Sequence, residues 1–196
     1  MSTPFDYEWG NALPTITTQR LVLRPLTSDD ADAVFDIFSD DEVMRYWSTV
    51  PMTSREEAVT LLEEIAAFFK NRELFQWGVA DRVTNRIVGT CTLFQMVWRH
   101  RRAEIGYALN RECWGKGFGR EAVGALIDFA FDTLQLERLE ADTDPRNHRS
   151  RSMLGRLGFR KEGLFRQRWR VGGEVQDGVM LGLLRSERVS KGSDIV

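Results

Sequence analysis

Residues 103–123 read AEIGYALNRECWGKGFGREAV, and the change of periodicity within this stretch decides the fold. Arg102 to Leu109 alternates as a strand, whereas from Phe118 to Leu134 the apolar residues Val123, Leu126, Ile127, Ala130 and Phe131 recur at helical spacing. Between them Gly115, Gly117 and Gly119 remove the side chains that would hold a ligand away from the backbone, and the helix start aims unpaired N–H groups outward. Such a terminus binds phosphate through those donors and the positive end of the helix dipole, and Lys116 adds a mobile charge. A tight strand-to-helix connection explains the glycines equally well. Two familiar phosphate loops are excluded: no Gly-Lys-Ser/Thr ending is present, and the glycines alternate as GxGxG instead of the GxGxxG of a dinucleotide fold.

Outward from this turn, residues 21–26 (LVLRPL) form a short apolar strand, and Thr27 to Asp30 has the form of a cap ahead of a helix over Ala31 to Phe38. Ser54 and Glu57 have the spacing of a capping box, opening a helix whose Ala58, Leu61, Leu62, Ile65, Phe68 and Phe69 face the core. Phe75 to Ala80 and Ile87 to Met96 read as a hairpin, with Thr84-Asn85 in the turn. Arg138 to Asp142 is a strand and Ser150 to Leu157 a short helix. Phe159 to Arg170 and Val175 to Leu184 pair around Gly172-Gly173. This order implies one α+β domain, with a mostly antiparallel sheet flanked by helices. Residues 1–17 are expected to form an N-terminal arm, residues 18–186 the domain, and residues 187–196 a C-terminal tail.

The 196 residues carry 27 Lys and Arg against 29 Asp and Glu, a formal net charge of -2, which argues against a generic nucleic-acid binder. Trp98, Arg99, His100, Arg101 and Arg102 interleave aromatic and basic groups, but they sit where two strands turn. The first thirty residues lack a signal peptide's apolar run, and no stretch approaches the roughly 18 apolar residues of a membrane span. Cys91 and Cys113 show no CxxC spacing, and His100 and His148 are the only histidines. No metal site or disulfide framework is therefore expected, and a reducing, cytoplasmic location is. The charge is uneven, with an acidic cluster from Asp29 to Glu42 and a basic one from Arg146 to Arg170. Solvated helix faces account for this as well as a division between cation-attracting and anion-attracting sides.

Alternation places Glu104, Gly106 and Ala108 on one face of their strand, a carboxylate followed by two small residues that leave a trough beside a charge. A solvent-facing strand residue is the plainer account of Glu104. Asn147 precedes the short helix and Ser150 lies three residues on, where either can serve as an N-cap.

The segments AEIGYAL, WGKGFGREAV, DPRNHRS ahead of LGRLGF, and EGLFRQRWRVGGEVQDGVMLGLL, in this order, resemble the GNAT superfamily of acetyl-CoA-dependent N-acetyltransferases. The opening TTQRLVLRPLTSDDADAVFDIFSDDEVMRYW is similar to its branch of ribosomal-protein N-terminal acetyltransferases, and the resemblance covers Thr18 to Ser186. It implies that the strands matching Ala103 to Leu109 and Arg138 to Asp142 run parallel and splay apart, so that pantetheine pairs with the freed edge. By resemblance, acetyl-CoA contacts fall to Tyr107, Ala108, Leu109, Trp114, Gly115, Lys116, Gly117, Phe118, Gly119, Arg120, Asn147 and Ser150. Trp114 stands where the superfamily usually has Gln or Arg, which leaves the phosphate grip to backbone N–H groups from Lys116 to Arg120.

The resemblance further implies direct attack of an amine on the thioester, with Glu104 taking the amine proton directly or through a water. Leu154 stands where many members place an acid tyrosine, which leaves Ser150 as the donor to developing thiolate charge. A relay through Cys91 or Cys113 is disfavoured because neither has a base beside it in sequence. The acceptor is expected to enter between residues 42–51 and the last hairpin, near Glu42, Tyr46, Trp47, Trp169 and Asp177. The N-terminal α-amino group of a ribosomal-type protein is the foremost acceptor. A polyamine, amino acid or antibiotic is the alternative, as is a module that binds acyl-CoA without catalysis. No nucleic-acid or membrane partner is expected, and a homodimer stays open.

Overall fold

The computed structural model describes residues 9–188. The first eight residues of the expected arm and residues 189–196 of the expected tail lie outside them. The strands are β1 (Ile16–Thr17), β2 (Leu21–Pro25), β3 (Leu74–Asp81), β4 (Ile87–Val97), β5 (Arg102–Leu109), β6 (Arg138–Thr143), β7 (Arg160–Val171) and β8 (Glu174–Leu184). The helices are α1 (Ala31–Phe38), α2 (Asp41–Met44), α3 (Arg55–Asn71), α4 (Phe118–Asp128) and α5 (His148–Arg156). All eight strands form one sheet in the order β1-β2-β3-β4-β5-β6-β8-β7.

Every neighbouring pair is antiparallel except β5 and β6. That parallel pairing joins only Arg102, Ala103 and Glu104 to Arg138, Leu139 and Glu140. Beyond Glu104 the two strands part, although β5 continues to Leu109 and β6 to Thr143. The fork expected between these strands is therefore present, and it opens at Glu104.

Two apolar layers fix the fork from opposite faces of the sheet. On one, Val123, Leu126 and Ile127 of α4 pack with Trp77, Leu93, Ala103, Ile105, Leu139 and Leu181. On the other, Val34, Ile37, Ala58 and Leu62 of α1 and α3 cover Ala80, Ile87 and Ala108. Successive β5 side chains alternate between these layers, as a pleated strand requires.

The lead-in is more integrated than its sequence suggests. Trp9 and Leu13 are buried, Trp9 stacks on Phe75 at 3.9 Å, and Trp77 Nε1 donates to the Pro14 carbonyl at 2.8 Å. Neither a two-residue strand such as β1 nor a four-residue helix such as α2 is long enough to display a period. Asp40 caps α2 by accepting from the Glu42 and Val43 amides. The expected box at α3 is displaced by one residue: Glu57 turns back onto the Thr53 amide and hydroxyl, at 3.1 and 2.6 Å, and Ser54 makes no side-chain cap bond. The helix after the glycine turn ends as a π-helical segment over Phe129–Thr133, which keeps Phe129, Ala130 and Phe131 buried. Among the described residues no helix is long and apolar enough to cross a membrane, and no group of three His, Cys, Asp or Glu is placed to hold a metal ion.

Candidate active site

The glycine turn is a clamp built around the start of α4. Gly115 and Gly117 adopt φ of 75° and 81°, in the left-handed region that a Cβ disfavours. Gly117 is the N-cap, its carbonyl accepting from the Glu121 amide, so the N–H groups of Phe118, Gly119 and Arg120 have no acceptor within the helix. A Cβ on Gly119 would stand 3.2 Å from Met153 Sδ, so this glycine also sets how closely α4 approaches α5.

Arg20 holds the turn from outside. Its Nη1 donates to the Lys116 carbonyl at 2.9 Å, its Nε pairs with Glu121 at 2.7 Å, and its guanidinium lies over the Phe118 ring. Nothing in the sequence pattern singled out Arg20, because its partners are about a hundred residues away. Trp114 packs inward. Its indole N–H donates to the Leu109 carbonyl at 2.8 Å, and the Arg149 guanidinium covers its ring at 4.9 Å.

The backbone of β5 determines what faces the gap. The Arg101 carbonyl accepts from the Glu137 and Arg138 amides, so odd-numbered residues direct their polar groups toward β6. The Ala108 carbonyl points to β4, where a Cβ on Gly89 would come within 2.5 Å of it. The Leu109 carbonyl is taken by Trp114. Of Tyr107, Ala108 and Leu109, it is Tyr107 whose N–H and C=O are left facing the fork.

At the start of α5, Asn147 Oδ1 accepts from the Ser150 amide at 3.0 Å, which makes Asn147 the N-cap. Its Nδ2 has no partner among the described residues and stays available as a donor. Capping and ligand binding are therefore compatible in one side chain. Asn147→Ala should cost about 1 kcal/mol of stability through the lost cap and also weaken acetyl-CoA binding, whereas Asn147→Asp keeps a capping oxygen and loses the donor. Thermal melts beside calorimetric titration of both variants separate the two roles.

The Ser150 hydroxyl lies 2.7 Å from the Tyr107 hydroxyl, an arrangement not anticipated from sequence. Burial, only partly offset by that hydrogen bond, pushes the Tyr107 phenol up to about 12, so it remains a donor at neutral pH. Burial likewise pushes the Cys91 thiol up to about 12 and raises that of Cys113, which suits neither for thiolate chemistry.

Glu104 lies on the opposite face of β5 from Tyr107. It is 6% exposed and makes no side-chain hydrogen bond among the described residues, so it is not a solvent-facing strand residue. Burial first, then repulsion from Asp142 and Glu140, pushes its carboxyl up to about 7, against the pull of Arg168 and Arg102. Glu140 is neutralised by Arg102 at 2.6 Å and Arg138 at 2.8 Å, and Asp142 by Arg168 at 2.9 Å. A carboxylate that half-ionises near neutrality, with free lone pairs at the mouth of a fork, is equipped to accept a proton there.

The expected acceptor residues are placed unequally. Tyr46 has the Arg146 guanidinium over its ring at 5.8 Å, and Arg146 in turn bridges Asp144 and Glu174, each at 2.6 Å. The chain between α2 and α3 thus meets the β7–β8 hairpin, with Val50 Cγ1 3.7 Å from where a Cβ on Gly172 would stand. Trp47 packs edge-on against Phe38, and Glu42 is exposed beside Arg45. Trp169 lies under Arg168, and Asp177 accepts from the Gln167 amide at 2.8 Å.

Comparison with known proteins gives one consistent description. The Acetyltransferase (GNAT) domain family matches residues 20–160. The uncharacterized N-acetyltransferase YoaA of Bacillus subtilis is 38% identical, over 79% of this chain and 87% of its own. The [ribosomal protein uS5]-alanine N-acetyltransferase of Escherichia coli is 29% identical, over 91% of this chain and 95% of its own. The crystal structure of a GNAT-family acetyltransferase from Bacillus anthracis superposes with a TM-score of 0.79 at 25% identity, covering 89% of this chain and all of that one.

Proposed function

The chain belongs to the GNAT acetyltransferase family and is an acetyl-CoA-dependent N-acetyltransferase, and from that premise we propose that it acetylates the N-terminal α-amino group of a protein of ribosomal type in the cytoplasm. The observation that carries the amine chemistry is Glu104, a buried carboxyl without a side-chain hydrogen bond among the described residues, pushed up to about 7 where the fork opens.

Bound acetyl-CoA supplies an activated acetyl thioester, and the chain's residues bind, orient and exchange protons around it. The amides of Phe118 to Arg120 and the side chain of Lys116 meet the pyrophosphate, while the Tyr107 backbone and Asn147 Nδ2 hold the pantetheine arm. Glu104 takes a proton from the amine on one face of β5. On the other face the hydrogen-bonded hydroxyls of Tyr107 and Ser150 supply a donor that stabilises negative charge on the departing sulfur. Proton removal and stabilisation of the departing thiolate thus fall to residues on opposite faces of one strand. An α-amino group, with a pKa near ~8, needs less help from a base of this strength than a lysine near ~10.4.

Release of free thiol from acetyl-CoA, followed for Ser- and Ala-starting peptides, spermidine and free amino acids, tests the acceptor. The peptides should give the highest kcat/KM. A clear advantage for a small amine would overturn the N-terminal reading and leave acetyl transfer in place.

A further inference from the structure

The face of β6, β8 and β7 beside Glu104 carries a set of groups that acetyl transfer has not yet used. The Asp142 side chain is 5% exposed; its Oδ2 takes the Arg168 Nε–H at 2.9 Å, while its Oδ1 has no hydrogen-bond partner among the described residues. A buried carboxylate oxygen without a donor is expensive, so its persistence points to a partner that arrives from outside. Gly178 makes room for this arrangement: a Cβ there would come within 2.5 Å of Asp142 Oδ1 and 2.9 Å of Arg168 Cγ.

Two aromatic rings complete the surroundings. The Arg168 guanidinium carbon lies 5.3 Å from the Phe165 centroid and 5.1 Å from that of Trp169, and both rings are substantially exposed. A carboxylate flanked by exposed aromatic faces is the composition that receives an organic cation. Arg168 is carried there by a bulge. Phe165 pairs with Gly178 and Trp169 with Gln176, so that three residues of β7 oppose Asp177, which pins the Gln167 amide at φ 55°. Bulges commonly re-aim a side chain beside a site.

The location is adjacent to the base. Glu104 pairs with Glu140 across the closed end of the fork, and Asp142 is two residues further along the same face of β6. Arg168, with 37% of its side chain exposed, can swing into water, whereas Asp142 cannot.

We propose that Asp142, Phe165 and Trp169 form a receiving site for a second positive charge on the acceptor, and that Arg168 occupies it in the free protein as a built-in stand-in. This rests on the transfer reading above and adds the acceptor class: a primary amine carrying another cationic group a few bonds away. Exchange of one cation for another leaves the charge of the site unchanged, so displacing Arg168 costs little. A diamine and a peptide with a basic residue beside its N-terminus share this chemistry.

The test compares kcat/KM for matched acceptors that differ only in the second charge: diaminobutane against butylamine, and Ser-Lys against Ser-norleucine peptide amides. The protein should favour the dicationic member by roughly tenfold in at least one pair, and the pair that shows it identifies the source. Asp142→Asn should bring that ratio close to one. Arg168→Gln, a change at a partly exposed position that leaves Asp142 in place, should lower KM for the dication. Equal use of both members, a preference that survives Asp142→Asn, or a higher KM for the dication in Arg168→Gln overturns the site. Turnover without discrimination sinks this inference alone, whereas no turnover with any amine overturns the transfer reading as well.

Discussion

Glu104→Gln should lower kcat by about 10²–10³ while leaving acetyl-CoA affinity nearly unchanged, because the amide keeps the side chain's shape and loses only its ability to take a proton. The same substitution should make the protein more stable. A carboxyl whose folded value is about 7, against 4.5 for the free side chain, favours the folded state below about pH 4.5 and loses that contribution as pH rises through 7. At pH 8 the native protein therefore carries a buried charge that Gln does not, and the variant should gain about 2 kcal/mol there and little at pH 4. Denaturant titrations at the two pH values check this. A group that serves only the fold would lose stability on substitution, so a gain coupled to lost turnover is the mark of a residue strained for function.

The second large effect belongs to Gly117. Its φ of 81° would force a β-branched side chain into a conformation costing about 1–2 kcal/mol, and the first added carbon would already stand 3.2 Å from Arg20 Nη2. Gly117→Val should therefore displace both the N-terminus of α4 and the Arg20 contact to the Lys116 carbonyl. Acetyl-CoA binding is expected to weaken roughly a hundredfold, as a bound phosphate loses two or three well-aimed donors. At saturating donor kcat should fall far less, since Glu104 and Ser150 lie outside the turn. Calorimetric titration with acetyl-CoA reads the first effect and steady-state rates the second; unchanged affinity would mean that the turn is only a connection.

Much of this architecture was legible in the sequence because it is local. The strand limits Arg102 and Leu109 follow from alternation, the start of α4 at Phe118 from the glycine turn, and the hairpin ends from Asn85 and Gly172-Gly173. The parting of β5 from β6 was foreseen through resemblance and not through any period. What escaped depends on distance along the chain. Arg20 reaches the glycine turn across about a hundred residues, Tyr107 finds Ser150 across forty-three, and Arg168 finds Asp142 across twenty-six. No pattern in a linear sequence marks such partners. The pKa of Glu104 escaped for the same reason, since it is set by burial and by carboxylates on a neighbouring strand. The capping box moved from Ser54 to Thr53, where Glu57 can accept from an amide and a hydroxyl together.

We propose that Glu104 removes the acceptor's proton at the mouth of the fork. The most direct test is the pH dependence of kcat/KM with a hydrazide acceptor, whose nitrogen is neutral across the range, so that any acid limb belongs to the enzyme. The native protein should show a limb with an apparent pKa of about 7, and Glu104→Gln should show a low rate without that limb. A native profile that is flat through this region, or a limb that persists unchanged in Glu104→Gln, would contradict the account.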